Sequence, residues 1–503
     1  MRITPFPLAA LPLTLSALLL AGCLGGGGGS SDRDETAPPE MTREHDDREF
    51  VVVESPFAPL AGASIYFGTY DGLQGEAAYA LEVPEDWDGR GLIMWTRGYG
   101  GESETLSTVR PSAAWREAVL ANGYAWASSS YSANYYDARA GIEDTNKLAL
   151  NVMDYVLADY GEQLETPEQY LISGVSMGGH IAAAAVDREN MERTQFKVPY
   201  AGAAPFCQAE QNQFQWLGDY PRVMMELAGY GEEDYSRFQE LVGEFQTFPV
   251  GGGQTVTLLT TPGPIVDALF NTTPAGMPDW TSPKNEAGER LIAIAQNLTG
   301  GVRPVFMHGF ASPLQSIVLG TGGSAGTING ILALNGYGNE DQVYRWTTGD
   351  EPTAEEIEFN DNIDRVSADP DANLPREDGV RWIPLVNGDF DVPVLTMHTL
   401  GDFYVPFRHQ QLYRERAEEN GNDDLLVQRA IRAPSHCDFS QDEYREAVND
   451  WLAWVNGGSK PAGDEVMDPE IVADPDYGCT FTRAYDAAIP ANTSRAAIAP
   501  CPL

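Results

Sequence analysis

The sequence feature that most constrains the fold is a glycine-rich turn between a short apolar run and a run of small residues. Residues 170–174 have the composition of a buried strand, and residues 180–186 are small and helix-forming. Between them the chain reads Gly174-Val175-Ser176-Met177-Gly178-Gly179. Glycines on both sides of a serine permit the tight turn by which a strand passes directly into a helix. The pattern predicts a strand, a sharp turn at Ser176 and a helix.

Strand-like and helical patterns alternate around this turn. Residues 91–96 and 124–128 are short apolar runs of the kind that form buried parallel strands. Residues 142–160 carry apolar side chains at helical spacing, and residues 199–205 form a further strand-like run. The alternation predicts an α/β fold in which a mostly parallel sheet is covered by helices on both faces.

The alternation stops at residue 208 and resumes at about residue 389. The intervening segment is polar, glycine-rich and irregularly helical. After it come an apolar run at 392–398, a strand at 425–431 and a helix at 440–455. We therefore expect a core made of residues 55–207 and 389–457, a large, mainly helical lid inserted at 208–388, and a C-terminal tail at 458–503.

Ser176 is the candidate nucleophile. A strand-to-helix turn holds a serine side chain exposed at the sheet edge, where a neighbouring base can activate its hydroxyl. In this setting the G-x-S-x-G motif resembles that of the α/β-hydrolase superfamily, and the resemblance covers most of residues 60–456. It implies the α/β-hydrolase fold, with a catalytic acid and then a histidine following the serine along the chain.

Asp402 is the candidate acid. It follows the strand at 392–398, and the segment Gly401 to Pro406 has a G-D-x-x-V-P form that resembles the acid loop of many α/β-hydrolases. At the C-terminal end of a strand its carboxylate can orient an imidazole and fix its tautomer. Asp389 and Asp391 precede that strand, which puts them on its wrong side.

His436 is the candidate general base, largely by elimination. It lies 34 residues beyond Asp402, between the last strand and the last helix. The five other histidines are assigned elsewhere: His45 to a tether, His180 beneath the serine turn, His308 to the insertion, His398 to packing at a strand end and His409 to a surface helix.

Two backbone N–H groups are needed to stabilise the oxyanion that forms during acyl transfer. Met177, directly after the serine, is the candidate for the first. The glycine-rich segment after Trp95 is placed to supply the second, and Tyr99 or Gly100 is expected to donate it. No metal or cofactor is required by this chemistry.

The N-terminus is similar to a bacterial lipoprotein signal peptide, predicted over residues 1–22. Its apolar stretch at 8–20 is too short to span a membrane as a helix. The lipobox is Leu20-Ala21-Gly22-Cys23. The resemblance implies that Cys23 is lipidated and that the protein is anchored in the cell envelope, at the outer membrane or cell surface. An ordinary secretion signal with an incidental cysteine is the alternative. Residues 23–54 are interpreted as a flexible tether.

Four further cysteines remain in a chain expected to be secreted, where disulfides form. Four cysteines allow three connectivities. We favour one bridge between Cys207 and Cys437 and another between Cys479 and Cys501.

The pair His436-Cys437 resembles the tannase and feruloyl esterase family, which also carries a large lid between nucleophile and acid. In that family a disulfide joins the residue before the serine to the residue after the histidine. Val175 precedes the serine here, so this bridge cannot form in the same way, and Cys207 is an alternative partner. The family's calcium-binding lid is not evident either. The clustered acids at 361–371 are interpreted as a solvated turn.

The chain is strongly acidic, with 74 Asp and Glu against 31 Lys and Arg and a formal net charge of −43. Such a field excludes nucleic acid as a partner, because phosphate binding needs a basic face. It is typical of a solubilising surface or of a protein adapted to a salt-rich habitat. The sequence leaves both open.

The sequence thus predicts a secreted serine hydrolase acting on small or polymer-derived carboxylic esters, with aromatic side chains of the insertion lining part of an apolar pocket. A peptidase of the same fold is one alternative, because fold does not fix substrate. A surface-anchored binding lipoprotein with a vestigial site is another. The oligomeric state is left open.

Overall fold

The structure is a computed structural model. It describes residues 43–251, 254–312, 318, 327–328, 330–349, 351–483 and 494–501. The predicted signal peptide, Cys23 and the first part of the predicted tether lie outside these residues. The described residues belong to one compact unit.

The strands of the described residues are numbered in chain order. They are β1 (Val51–Val52), β2 (Ala63–Asp71), β3 (Glu76–Pro84), β4 (Leu92–Thr96), β5 (Thr105–Leu106), β6 (Ala125–Ser129), β7 (Tyr170–Val175), β8 (Tyr200–Phe206), β9 (Gly243–Gly251), β10 (Gln254–Pro262), β11 (Phe270–Thr272), β12 (Pro278–Pro283), β13 (Val394–Thr399) and β14 (Leu426–Ile431).

The α-helices of the described residues are numbered in the same way. They are α1 (Ala113–Ala121), α2 (Ala138–Tyr160), α3 (Met177–Ala185), α4 (Arg188–Arg193), α5 (Gln213–Leu227), α6 (Phe238–Val242), α7 (Pro264–Leu269), α8 (Glu286–Leu298), α9 (Phe306–Phe310), α10 (Ala354–Asn362), α11 (Arg408–Glu419), α12 (Gln441–Val455) and α13 (Pro469–Val472). Described residues also form short 3-10 helices, at Glu44–Asp47, Glu232–Arg237, Asp423–Leu425 and Ser494–Ala497.

An eight-stranded sheet forms the centre of the molecule, in the spatial order β14-β13-β8-β7-β4-β6-β3-β2. Only β3 runs against its neighbours, and every other strand of the sheet points the same way. The C-terminal ends of β4, β7, β8, β13 and β14 therefore meet at one edge. A serine turn follows β7, which is the fifth strand of the eight-stranded sheet along the chain. This is the α/β-hydrolase fold, which confirms the predicted fold class.

Helices cover both faces of the sheet, as the apolar strand runs require. Strands β4, β6, β13 and β14 are buried along their whole length. One core cluster joins the sheet to α2, α3 and α11, and a second joins it to α1 and α12. Trp115 and Trp451 are buried in the second cluster, on the two helices that cover that face.

The insertion at 208–388 has a hydrophobic core of its own. Among its described residues, helices α5 to α10 hold more of the chain than strands do, but the antiparallel pairs β9–β10 and β11–β12 also belong to it and were not predicted. The residues of β10 are rich in threonine and in β-branched or apolar types that favour strands. The described residues 363–393 form no helix or strand.

The predicted tether is wrong from residue 43 onward, because this part of the chain packs on the core. His45 is buried, and its Nε2 lies 3.1 Å from Asp137 Oδ2. The Arg43 guanidinium carbon lies 3.3 Å from the centre of the Trp382 ring. Strand β1 then pairs in parallel with β5. Nothing within residues 43–54 indicates these contacts, since every partner is distant along the chain.

The C-terminal tail covers the β14 edge of the sheet. The backbone N–H of Asp464 donates to Gln428 O at 2.7 Å, and its Oδ2 accepts from Ala430 N at 2.8 Å. The tail thus satisfies backbone groups that an edge strand would otherwise expose. Cys479 and Cys501 are joined by a disulfide, the pairing favoured from the sequence. Within the described part of the chain, no helix combines the length and apolar character needed to cross a bilayer.

Candidate active site

Ser176 occupies a sharp turn between β7 and α3. Its backbone has φ 60° and ψ −125°, a conformation that L-residues rarely adopt. The flanking glycines are required by close packing against Thr96 at the end of β4. A Cβ on Gly174 would lie 2.0 Å from Thr96 Oγ1, and a Cβ on Gly178 would lie 2.0 Å from Thr96 O. The serine turn is therefore built by two neighbouring strands.

Thr96 holds this turn together and was not identified from the sequence. Its hydroxyl oxygen lies 2.7 Å from Gly178 O and 3.1 Å from Ser173 O, so it bridges the start of α3 and the end of β7. The Ser176 N–H donates to Phe206 O at 3.1 Å, which ties the turn to β8 on its other side.

Asp402 and His436 are brought together across 34 residues of chain. His436 Nδ1 lies 2.5 Å from Asp402 Oδ2. The carboxylate is fully buried, and its other oxygen accepts from the backbone N–H groups of Tyr404 and Val405, both at 3.0 Å. The imidazole is 23% exposed, so it can be reached from solvent. This is the geometry in which a carboxylate orients an imidazole.

A second histidine lies close to the same carboxylate. His398 Nε2 is 3.9 Å from Asp402 Oδ2 but lies only 2.7 Å from Val405 O. Burial lowers the pKa of His398 to about 4, so this ring is neutral near pH 7. It donates to the backbone of the acid turn and leaves Asp402 to His436. The sequence interpretation of His398 as strand-end packing did not anticipate this contact.

A disulfide between Cys207 and Cys437 joins the end of β8 to the histidine loop, the pairing favoured from the sequence. Cys437 Sγ lies 3.3 Å from His436 Nε2. Cys207 follows Phe206, whose carbonyl accepts from Ser176 N–H. The bridge therefore connects the serine turn, through the end of β8, to the loop that carries His436.

The loop after β4 lies beside the serine. A Cβ on Gly98 would lie 3.2 Å from Ser176 Cβ and 3.7 Å from Ser176 Oγ. Tyr99 is 43% exposed, and a Cβ on Gly100 would lie 2.6 Å from Arg97 Nη1. Met177 is buried and is the first residue of α3. The N–H groups at the start of a helix have no partner within that helix.

Arg97 holds this loop in place through its buried side chain. It was also not identified from the sequence. Its guanidinium is buried and donates to Ser130 O at 2.7 Å and to Asn134 Oδ1 at 2.8 Å. The Tyr131 hydroxyl donates to Arg97 O at 3.0 Å, and the Tyr131 ring lies 4.5 Å from the guanidinium carbon. Burial lowers the pKa of Arg97. The glycines around it were the only signal in the sequence.

The rings of two further histidines have other partners. His180 and His409 are buried, with His180 Nε2 2.7 Å from Pro384 O and His409 Nδ1 3.2 Å from Glu210 Oε1. His409 is therefore not on the surface, as predicted, although it does lie on a helix. His308 lies in α9 of the insertion.

Among the described residues, one cluster brings potential metal-ligand atoms together, formed by Cys207, His436 and Cys437. Its two sulfurs are joined as a disulfide and offer no thiolate. Of the clustered acids at 361–371, Asp364 pairs with Arg222 at 3.1 Å, and an oxygen of Asp369 accepts from the backbone of Asp371.

Comparison with known proteins gives limited similarity. No family model matches the chain. Over 77 residues it is 34% identical to o-phthalyl amidase from Xanthobacter agilis. That match spans 15% of this chain and 17% of the amidase, so it covers only a small part of either protein.

The solved structures that match this chain do so with low sequence identities and low TM-scores. Feruloyl esterase B from Aspergillus oryzae is 13% identical, with 81% of this chain and 90% of that chain covered and a TM-score of 0.41. An esterase from Pyrobaculum calidifontis is 13% identical, with 78% and 84% covered and a TM-score of 0.34. An acylaminoacyl peptidase is 10% identical, with 82% and 44% covered and a TM-score of 0.35.

Identities and TM-scores this low do not support a fold assignment, which rests on the topology of this chain. That topology consists of the order of the eight strands, the single reversed strand β3 and the serine turn after β7. By these features the chain has the fold of the α/β-hydrolase superfamily.

Proposed function

We propose that the protein is a serine hydrolase that cleaves carboxylic esters through an acyl-enzyme. Ser176 is the nucleophile, His436 the general base and Asp402 the acid that orients it. The hydrogen bond of 2.5 Å between Asp402 and His436 carries the proposal, because it lies at the sheet edge where the turn holds Ser176. A strained serine and an oriented imidazole are what nucleophilic acyl transfer requires.

In the proposed reaction, His436 Nε2 takes the proton of Ser176 Oγ while that oxygen attacks the ester carbonyl carbon. Asp402 holds the Nδ1–H and stabilises the imidazolium. The tetrahedral intermediate collapses, and the leaving alcohol takes the proton from His436. A water molecule then attacks the acyl-enzyme with the same base, which releases the acid and regenerates Ser176.

The oxyanion is proposed to bind two backbone N–H groups, one from Met177 and one from Tyr99 or Gly100. Met177 begins α3, so its N–H is directed out of the helix N-terminus. The second group belongs to the loop whose Gly98 lies against Ser176. We further propose that the insertion serves as a lid over this site.

Amide hydrolysis is a second candidate. The 34% identical segment shared with o-phthalyl amidase favours it, although this segment is short. The same three side chains perform either reaction, and the difference lies in how well the leaving amine is protonated. Rates on an ester and on the amide with the same acyl group separate the two candidates. We expect kcat/KM to be higher for the ester. A higher value for the amide would make the protein an amidase.

A fluorophosphonate probe tests the proposal directly. We expect it to label the wild-type protein and to leave Ser176→Ala unlabelled, with ester turnover reduced by a factor of about 10³ or more. Ser459→Ala is the control, since Ser459 is exposed in the C-terminal tail, and it should be labelled like wild type. If wild type is not labelled, or if Ser176→Ala is still labelled, Ser176 is not the nucleophile.

We also propose that Cys23 is lipidated and anchors the protein to the cell envelope. The lipobox in the sequence supports this. Incorporation of a labelled fatty acid into wild type, but not into Cys23→Ala, is the expected result, with the variant released from the membrane fraction. Equal incorporation in both proteins would contradict lipidation at this residue.

A further inference from the structure

Arg303 connects the insertion to the loop that carries Asp402. Its Nε donates to Leu400 O at 2.7 Å, two residues before the acid. The other two nitrogens donate back into the insertion, Nη1 to Gly301 O at 2.9 Å and Nη2 to Thr299 Oγ1 at 3.1 Å. A planar guanidinium with three such bonds is fixed in position and direction.

The charge of Arg303 is also unusual in its surroundings. The side chain is 5% exposed, and it forms no ion pair with a carboxylate among the described residues. The titratable groups that interact with it electrostatically are Tyr220 and Asp402. Burial lowers the pKa of Arg303 to about 10, so the group is still a cation near pH 7. Burial raises the pKa of Tyr220 well above its usual value, so Tyr220 is neutral near pH 7 and Asp402 is the charged group of the two.

A second contact of the insertion reaches both catalytic loops. A Cβ on Gly309 would lie 1.6 Å from Gly401 O and 2.9 Å from Pro434 O, so the backbone of α9 packs directly on residues next to Asp402 and His436. Only a glycine fits there. A Cβ on Gly401 would in turn lie 3.0 Å from Val305 O.

The chain between these contacts is strained. Val305 has φ 58°, a left-handed conformation that is a clear outlier for a β-branched residue. Such strain persists only where the surroundings impose it, and it occurs often at functional sites. Here it allows residues 303–309 to place the Arg303 side chain and the Gly309 backbone against the same pair of loops.

We propose that residues 303–309, termed the brace, position Asp402 and His436 relative to each other, with Arg303 and Gly309 as positioning residues. The inference rests on the proposed function. It makes the insertion part of the catalytic support as well as a cover. Displacing catalytic groups by about 1 Å can lower a rate by about 100-fold.

Gly309→Ala tests the steric contact, with Gly288→Ala as a matched control. A Cβ on Gly288 would lie 2.3 Å from Leu269 O, so it creates a similar clash inside the insertion but away from both catalytic loops. We expect Gly309→Ala to lower kcat by about 100-fold with little change in KM. Gly288→Ala should keep the wild-type kcat even where its melting temperature falls. A wild-type kcat in Gly309→Ala, or equal losses in both variants, would overturn the inference.

Arg303→Met and Arg303→Lys test the charge. Both lose the fixed guanidinium, but only the lysine variant keeps a cation near Asp402. Removing the cation lowers the positive potential at the pair formed by Asp402 and His436, whose titratable neighbours are His398 and Tyr404. The acidic limb of the kcat/KM profile should therefore move to higher pH in Arg303→Met and stay near wild type in Arg303→Lys. Limbs that are unchanged in both variants would overturn the electrostatic part of the inference.

Labelling of the wild-type protein by the fluorophosphonate separates failure of the inference from failure of the proposed function. A labelled wild type with fully active brace variants contradicts the brace alone. An unlabelled wild type contradicts the function on which the brace depends.

Discussion

At the scale of single residues, the turn at Ser176 shows how a strained conformation is kept in place. A residue in a sparsely populated backbone region costs about 1–3 kcal/mol. The Thr96 hydroxyl and the bond from Ser176 N–H to Phe206 O hold the turn from both sides. The strain is therefore distributed over three adjacent strands, β4, β7 and β8.

Gly178→Ala should disrupt this arrangement. The new Cβ would meet the backbone oxygen of Thr96 at 2.0 Å, and a backbone atom in the sheet cannot move aside without shifting the end of β4. We expect destabilisation of about 2 kcal/mol or more, together with loss of fluorophosphonate labelling. Thermal unfolding and labelling measure the two effects.

Gly349→Ala is the control for this variant, because only Glu351 O, at 3.9 Å, lies near the position of its Cβ. It should match wild type in both assays. Wild-type labelling of Gly178→Ala would show that the turn tolerates a larger residue.

Asp187 should make stability depend on pH. Burial raises the pKa of Asp187 to about 7, although its carboxylate accepts from Asn387 N at 2.6 Å. A carboxyl whose pKa is raised on folding stabilises the fold fully at pH values below its pKa in the unfolded chain. This contribution is lost as the pH rises through its pKa in the folded protein. The loss therefore falls between about pH 4 and about pH 7.

Asp187→Asn removes this titration while keeping an acceptor for Asn387. We expect the difference in melting temperature, variant minus wild type, to increase as pH rises from 4 to 7.5. Asp391→Asn, at an exposed acid, should differ from wild type in melting temperature by the same amount at every pH. A constant offset for Asp187→Asn as well would mean that this carboxyl is not perturbed by folding.

The sequence was informative for residues whose role depends on local pattern. Ser176 lies in a motif, and Asp402 and His436 follow predicted strands, so each could be proposed from its neighbours in the chain. Thr96 and Arg97 could not, because their roles depend on contacts with residues 33 or more positions away. His45 was assigned to a tether for the same reason, since its partner is Asp137.

At the scale of elements, the bridge between Cys207 and Cys437 joins two loops that the sheet alone would leave free. It closes a loop of 230 residues, whereas the bridge between Cys479 and Cys501 closes one of 22. Loop-closure entropy rises with loop length, so the first bridge should stabilise the fold more.

Replacing Cys207 and Cys437 together by serine should cost about 2–5 kcal/mol of stability and lower kcat as well, because Cys437 contacts the ring of His436. Replacing Cys479 and Cys501 is the matched control and should affect stability less and kcat very little. Denaturant unfolding and ester turnover provide the measurements. Equal kcat values in the two double variants would mean that the first bridge does not support the histidine loop.

Elements with a strong local period were predicted well, and those defined by distant pairing were not. The helix at 440–455 and the strand at 425–431 differ from α12 and β14 by only one residue at their starts. The hairpin β9–β10 was missed, since the interrupted apolar pattern of the insertion hid its period. Strand β1 has two residues, too few for any period, and it exists only through its pairing with β5.

At the scale of the whole molecule, charge opposes folding. The net charge of −43 leaves many acids without a basic partner, so compaction brings like charges together. Ion pairs such as that of Arg445 with Asp442 are exposed, and each contributes at most about 1 kcal/mol. Added salt weakens both effects, but the repulsion involves far more charges than the pairs do.

Stability should therefore rise with salt. The screening length falls from about 30 Å at 0.01 M to about 8 Å at 0.15 M, so most of the gain in melting temperature should occur below about 0.2 M NaCl. Sodium sulfate matched for ionic strength should give the same gain in this range if screening is the cause. A larger gain in sulfate would point instead to exclusion of the salt from the protein surface. A melting temperature that does not change with NaCl would leave solubility as the role of the acidic surface and would contradict adaptation to a saline habitat.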